Sequence, residues 1–127
     1  MLYGDEETNT LTERVIACAI EVHRELGPGL LESVYERALC IERSAARIEF
    51  KRQVGIPLYY KGELLSEHRP DLIVAERIVV EVKSVETLNP VHTAQLLTYL
   101  RVCRMRVGLI LNFNNAFMRH GIRRLML

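Results

Sequence analysis

"RPDLIVAERIVVEVKS", residues 69–84, reads as two apolar strands joined by a short polar turn, with an aspartate, a glutamate and a lysine set among residues that favour burial. Leu72 and Val74 share a face with Ile78, Val80 and Val82 if Leu72 lies opposite Val80. That register makes Ala75-Glu76-Arg77 a three-residue turn. The other face then carries Asp71, Ile73, Val79, Glu81 and Lys83. Asp71 falls directly opposite Glu81, and Lys83 lies two residues along on the same face. A two-residue turn would set Asp71 against Val80 and break the arrangement.

Like charges directly opposite each other destabilise a sheet, so the two carboxylates ask for a cation, a shared proton or open water. Open water, with Lys83 as counter-ion, is the ordinary solvated-face explanation. Ile73 and Val79 on the same face argue instead for a cover, and under cover an unpaired carboxylate pair is costly. A hard divalent cation such as Mg²⁺ suits this geometry, since it binds through one or two carboxylates and keeps several waters.

Downstream, Asn89 and Pro90 have the character of N-cap and first helical residue, opening a helix through about residue 105. His92, Gln95 and Tyr99 fall on one stripe of it, while Ala94, Leu97 and Leu100 lie on other faces. "RVGLILNF" is a buried-type strand, and "GIRRLML" closes the sheet. Upstream, Thr10 with Glu13 matches a capping box, followed by a helical stripe of Leu11, Val15, Cys18, Ala19, Val22 and Leu26 that stops at "LGPG". A second helix spans about 32–46. "QVGIPLYY" is then a strand leaving through a tight turn at "KGE", and "HRPDLIV" and "RIVVEVKSV" are the next two.

The order helix, helix, three strands, helix, two strands contains a strand–helix–strand step, which implies a parallel pair with a right-handed crossover. The expected fold is α/β, a mixed sheet flanked by helices.

The 127 residues suit one domain, 1–127, with 1–9 as a flexible N-terminus. The chain opens without a basic start and apolar core, so no signal peptide is expected. No apolar run approaches the ~18 residues of a membrane helix. Cys18, Cys40 and Cys103 show no CxxC spacing and sit among apolar neighbours, which fits buried thiols in a reducing cytoplasm. A net charge of +1 excludes a generally basic nucleic-acid binder. All acids lie at or before Glu86, however, and Arg101, Arg104, Arg106, Arg119, Arg123 and Arg124 follow it. Those arginines either form a face for phosphates or pair with the acidic front half.

Residues 29–35, "GLLESVY", spell GxxExxY, and "EVHRELGPGLLESVYERAL" resembles the signature of the bacterial GxxExxY family, which is placed in the PD-(D/E)XK nuclease-like superfamily. Pro70-Asp71 and Glu81-Val82-Lys83 stand where the superfamily motif would be, and "QLLTY", residues 95–99, resembles a QxxxY element of exonuclease-type branches. The likeness covers about residues 10–125. A lone PDx(n)ExK is a weak pattern, whereas GxxExxY before it and QxxxY after it make a specific combination.

The resemblance implies an αβββαβ restriction-endonuclease-like core with an extra N-terminal helix and a final strand. It implies Mg²⁺ or Mn²⁺ held by Asp71, Glu81 and the backbone carbonyl of Val82. Glu32 joins as a metal-side carboxylate or as the group holding a metal-bound water. Lys83 would position or deprotonate the attacking water, and Gln95 and Tyr99 would orient Lys83 or the phosphate. From the residues alone, Glu32 reads equally as an early-helix acid, Tyr35 as packing, and His23 and His92 as satisfied polar contacts.

The reading that follows is a metal-dependent nuclease acting on DNA or RNA, with a homodimer or part of a complex as its active form. The alternatives are a non-catalytic nucleic-acid-binding module and a protein-interaction module that keep the fold.

Overall fold

The first helix begins earlier than Thr10 and Glu13 suggest. In the computed structural model, which describes residues 5–127, Asp5 is the N-cap of α1 (Glu6–Leu26) and its side chain accepts the Thr8 N–H at 2.7 Å. Glu6 and Glu7 occupy the first turn, where the helix dipole favours acids. Thr10 and Glu13 therefore lie inside the helix. Of the stretch 1–9 expected to be flexible, residues 5–9 are cap and helix, and the remainder lies outside the described residues. α2 (Glu32–Ala45) falls where the sequence places it.

The hairpin that carries the three charges forms in the expected register. β4 (Leu72–Val74) pairs antiparallel with β5 (Ile78–Lys83), Leu72 opposite Val80 and Val74 opposite Ile78. The Arg77 N–H donates to the Val74 carbonyl at 2.9 Å across Ala75 and Glu76, both left-handed at φ 49° and 55°. That twist is the one tight hairpins require.

Two strand assignments need correction. "QVGIPLYY" does form a strand, β2 (Ile56–Tyr60), but it pairs with β3 (Glu63–His68) in a separate two-stranded sheet. The place beside β4 is taken by β1 (Phe50–Arg52), a stretch to which the sequence assigned no element. "HRPDLIV" is likewise two elements, ending β3 at His68 and starting β4 at Leu72. The break falls at Pro70, which has no N–H for a ladder. The core thus keeps the expected αβββαβ order through α2, β1, β4 and β5, with the β2–β3 hairpin inserted.

α3 (Pro90–Cys103) is capped by Asn89 with His92 completing the box, as Asn-Pro predicts. It carries the chain from β5 to β6 (Val107–Asn112), which runs parallel to β5. A short 3₁₀ turn, Met118–Gly121, then leads into antiparallel β7 (Ile122–Met126). The main sheet has the order β1-β4-β5-β6-β7. α1 and α2 cover one face through Val15, Ala19, Tyr35 and Leu39, against Leu72, Val80, Val82 and Leu109. α3 covers the other through Leu96, Tyr99 and Leu100, against Val79 and Ile110. At Gly108 an added Cβ would lie 2.9 Å from the Leu96 side chain, so the absent side chain lets α3 press onto the β6 backbone. The fold is α/β, a mixed sheet between helices, consistent with a restriction-endonuclease-like core.

Candidate active site

Asp71 stands just before β4, and hairpin parity turns it with Glu81 and Lys83 toward the α3 side. One carboxylate oxygen, Oδ2, accepts the Val82 N–H at 2.8 Å. The N–H and C=O of one strand residue leave by the same edge, so the Val82 carbonyl also faces the Asp71 side. Glu81 is only 6% exposed, and its Oε1 is buried without a hydrogen-bond partner. Burial first, and the Asp71 charge second, push the Glu81 carboxyl up to about 9, against a smaller opposing pull from Lys83. Without a cation, burial and the Asp71 charge thus favour the protonated form of this glutamate.

Tyr99 closes the site from α3. Burial raises its hydroxyl, as do the charges of Glu81 and Asp71, while Gln95 beside it works in the opposite direction. The ring also meets His68 edge-on, with centroids 5.6 Å apart, which seats the base of the β2–β3 hairpin against the site. Asp71, Glu81, Lys83, Gln95 and Tyr99 thus lie near one another at this end of the sheet. His92 lies on the same helix but is used in the cap, its Nδ1 accepting the Asn89 N–H at 3.1 Å.

Glu32 stands at the end of β5. Its Oε2 accepts the Ser84 N–H at 3.2 Å, while the Ser84 hydroxyl donates to the Leu30 carbonyl at 2.6 Å. Gly29, at φ +97°, makes the preceding turn. Tyr35 is fully buried and stacked on Phe113 at 4.5 Å. Its hydroxyl accepts the Leu30 N–H at 3.1 Å and donates to the Gly27 carbonyl. The glycine, glutamate and tyrosine of GxxExxY therefore form a clamp that ties the α1–α2 loop to the strand bearing Glu81 and Lys83.

A family model of the PD-(D/E)XK nuclease superfamily matches residues 9–125. The chain belongs to that superfamily. No curated protein and no solved structure matches it. The letters of the superfamily's name are present here as Pro70-Asp71 and Glu81-Val82-Lys83, and the hairpin sets them at one end of the β4–β5 pair.

This PD-(D/E)XK domain contains two site neighbours that sequence reasoning missed. Glu36, one helical turn after Glu32, is 7% exposed, and its Oε1 accepts from the Gln53 side-chain amide at 3.0 Å. The same amide donates to Asp71 Oδ1 at 3.3 Å. Glu36 lies on the buried face of α2 with Leu39 and Arg43, a placement for which the sequence carried no signal. Gln53 carried none either.

Among the described residues, no three His, Cys, Asp or Glu side chains gather to hold a metal ion, so Glu32 does not complete a carboxylate triad with Asp71 and Glu81. The donors available there are the two carboxylates and the Val82 carbonyl. Nucleases of this superfamily typically use divalent metals. The orphaned Glu81 Oε1 beside the Asp71 carboxylate fits such an ion, because a cation would satisfy the buried oxygen and allow both carboxyls to be charged.

The remaining candidates resolve as structural contacts. His23 Nε2 lies 2.7 Å from the Asn115 carbonyl. Burial raises all three thiols, with Cys18 buried and Cys40 and Cys103 half-buried. Among the described residues, ion pairs are made by Arg24, Lys51, Arg52, Arg69 and Arg77, and none by Arg101, Arg104, Arg106, Arg119 or Arg123. No helix among the described residues is long and apolar enough to cross a membrane.

Proposed function

We propose that this chain is a GxxExxY-type nuclease of the cytoplasm that hydrolyses phosphodiester bonds of DNA or RNA with Mg²⁺ or Mn²⁺. The observation that carries the reading is the buried, unpartnered Glu81 Oε1 set against Asp71, with Lys83 on the same face. Buried polar atoms are normally paired, so a buried carboxylate oxygen without a partner calls for an ion or a water.

Asp71, Glu81 and the Val82 carbonyl would hold the ion. When bound, the ion supplies Lewis-acid polarisation of the phosphate and a more acidic water. As a ligand Glu81 would be the carboxylate anion, so holding the ion would oppose the protonated form that burial favours. Lys83 would position or deprotonate the attacking water and stabilise charge developing on the phosphoryl oxygens. Tyr99 and Gln95 orient Lys83 or the phosphate by hydrogen bonding, and α3 excludes bulk water from that side. Glu32 serves by fixing the strand end at Ser84.

Nucleic acid is supported as the partner by the hairpin seated on Tyr99. Its outer end exposes Tyr59 and Tyr60, with the Lys61 ammonium 5.3 Å from the Tyr60 ring centroid. Exposed aromatics beside a cation are suited to stacking on bases.

Calorimetric titration of Mg²⁺ and Mn²⁺ into the wild type and Asp71→Ala tests the reading, followed by cleavage of single- and double-stranded DNA and RNA. Binding lost in the variant, with metal-dependent cleavage by the wild type, is expected. Metal binding without cleavage of any nucleic acid would point to the non-catalytic module instead.

A further inference from the structure

We infer that Gln53 is a positioning residue that sets the orientation of the Asp71 carboxylate, with Glu36 holding Gln53 in place. The inference rests on the nuclease reading of the site and concerns residues outside the superfamily motif.

The two hydrogens of one amide nitrogen can be donated at once, and here they meet Glu36 Oε1 at 3.0 Å and Asp71 Oδ1 at 3.3 Å. The Gln53 backbone N–H donates to the Asp71 carbonyl at 3.1 Å, and its own carbonyl accepts from Arg69 at 3.2 Å. Gln53 is itself left-handed at φ 49°, a conformation uncommon for a non-glycine residue.

With Oδ2 on the Val82 N–H, both oxygens of Asp71 are engaged, so the plane of the carboxylate is set from two directions. Glu36 is the back wall. It is buried, and Arg52, 3.5 Å away, partly offsets its charge. Its Oε1 serves here as the acceptor that prevents the amide from turning away from Asp71. α2 thus reaches the site through Glu36 and Gln53 as well as through Glu32 and Ser84. Partners behind a ligand typically alter metal affinity by about 10–100-fold.

Gln53→Met keeps the stem and removes the donor, Glu36→Ala removes the acceptor, and Glu36→Gln keeps an oxygen that Gln53 can still bond. Each is compared with wild type and Asp71→Ala by melting in chelator, by Mn²⁺ calorimetry, and by kcat and KM on a nucleic acid that the wild type cuts. Gln53→Met and Glu36→Ala are expected to bind Mn²⁺ about tenfold more weakly, to lose kcat more than KM, and to melt close to the wild type. Glu36→Gln should restore wild-type affinity. If Gln53→Met melts far below the wild type, Gln53→Ala takes its place in the comparison.

Wild-type Mn²⁺ affinity in the Gln53 variants, alongside its loss in Asp71→Ala, would overturn this inference and leave the nuclease reading standing. Equal loss in Glu36→Gln and Glu36→Ala would also overturn it, because Glu36 would then act through its charge. A wild type that binds no Mn²⁺ and cuts nothing would remove the nuclease reading, and this inference with it.

Discussion

Glu32 Oε2 accepts the backbone N–H of Ser84 at 3.2 Å, one residue beyond Lys83. The glutamate of the second helix thereby anchors the end of the strand on which the site is built. An exposed side-chain bond of this kind contributes about 1 kcal/mol. Glu32→Gln keeps an acceptor and should retain most metal affinity and activity, whereas Glu32→Ala should lower both with a small drop in melting temperature. Complete loss of Mg²⁺ binding in Glu32→Gln would mean that Glu32 is itself a ligand.

The proton on Glu81 makes metal-free stability depend on pH. The carboxyl sits at about 9 in the folded protein, against an ordinary 4.5. Its contribution is full below 4.5 and is lost as pH rises toward 9, because the unfolded chain has released a proton that the folded one still holds. The slope reaches about 1.4 kcal/mol per pH unit at most. Urea unfolding in chelator should show stability falling from pH 5 to 9 in the wild type and much less in Glu81→Gln. Parallel curves for the two proteins would contradict the assignment.

Lys83→Ala separates chemistry from binding. Removing a cation beside the carboxylates should leave Mg²⁺ affinity equal to the wild type or higher, while cleavage falls at least about a hundredfold. The paired measurement is calorimetry with single-turnover cleavage, and retained cleavage would exclude Lys83 from the reaction.

Tyr59 and Tyr60, each about 60% exposed, should contribute to binding rather than catalysis. Stacking is worth about 1–3 kcal/mol per base. Replacing both by alanine should weaken single-stranded binding by roughly tenfold or more in fluorescence anisotropy, with Mn²⁺ affinity unchanged. Undiminished affinity would place the nucleic acid elsewhere.

The site hairpin was legible in the sequence because apolar parity puts Leu72, Val80 and Val82 on one face and leaves Asp71, Glu81 and Lys83 together on the other. α3 was legible because Asn-Pro is a strong start signal. β1 was not, since Phe50 is the single apolar residue among its three and its partner β4 lies far along the chain. The strand pattern of "QVGIPLYY" was real, but β-propensity does not say which strand will be the neighbour. Thr10 and Glu13 matched a cap, yet Asp5 followed by two acids is an equally good start, and the longer helix formed. Glu36 and Gln53 were hidden for a simpler reason. A helical glutamate and a loop glutamine look solvated until the fold brings Asp71 between them and the strand.

The left-handed turn at Ala75 and Glu76 bears on how such a chain can vary. Adding or deleting one residue between Val74 and Ile78 would rotate Asp71 to the α1–α2 face, away from Glu81, and no substitution at Asp71 could restore the pair. At the Lys61-Gly62 tip of the β2–β3 hairpin, by contrast, extra residues would disturb neither carboxylate. Loop grafting and length change therefore belong at the second turn. The first is a spacer whose count matters more than its composition.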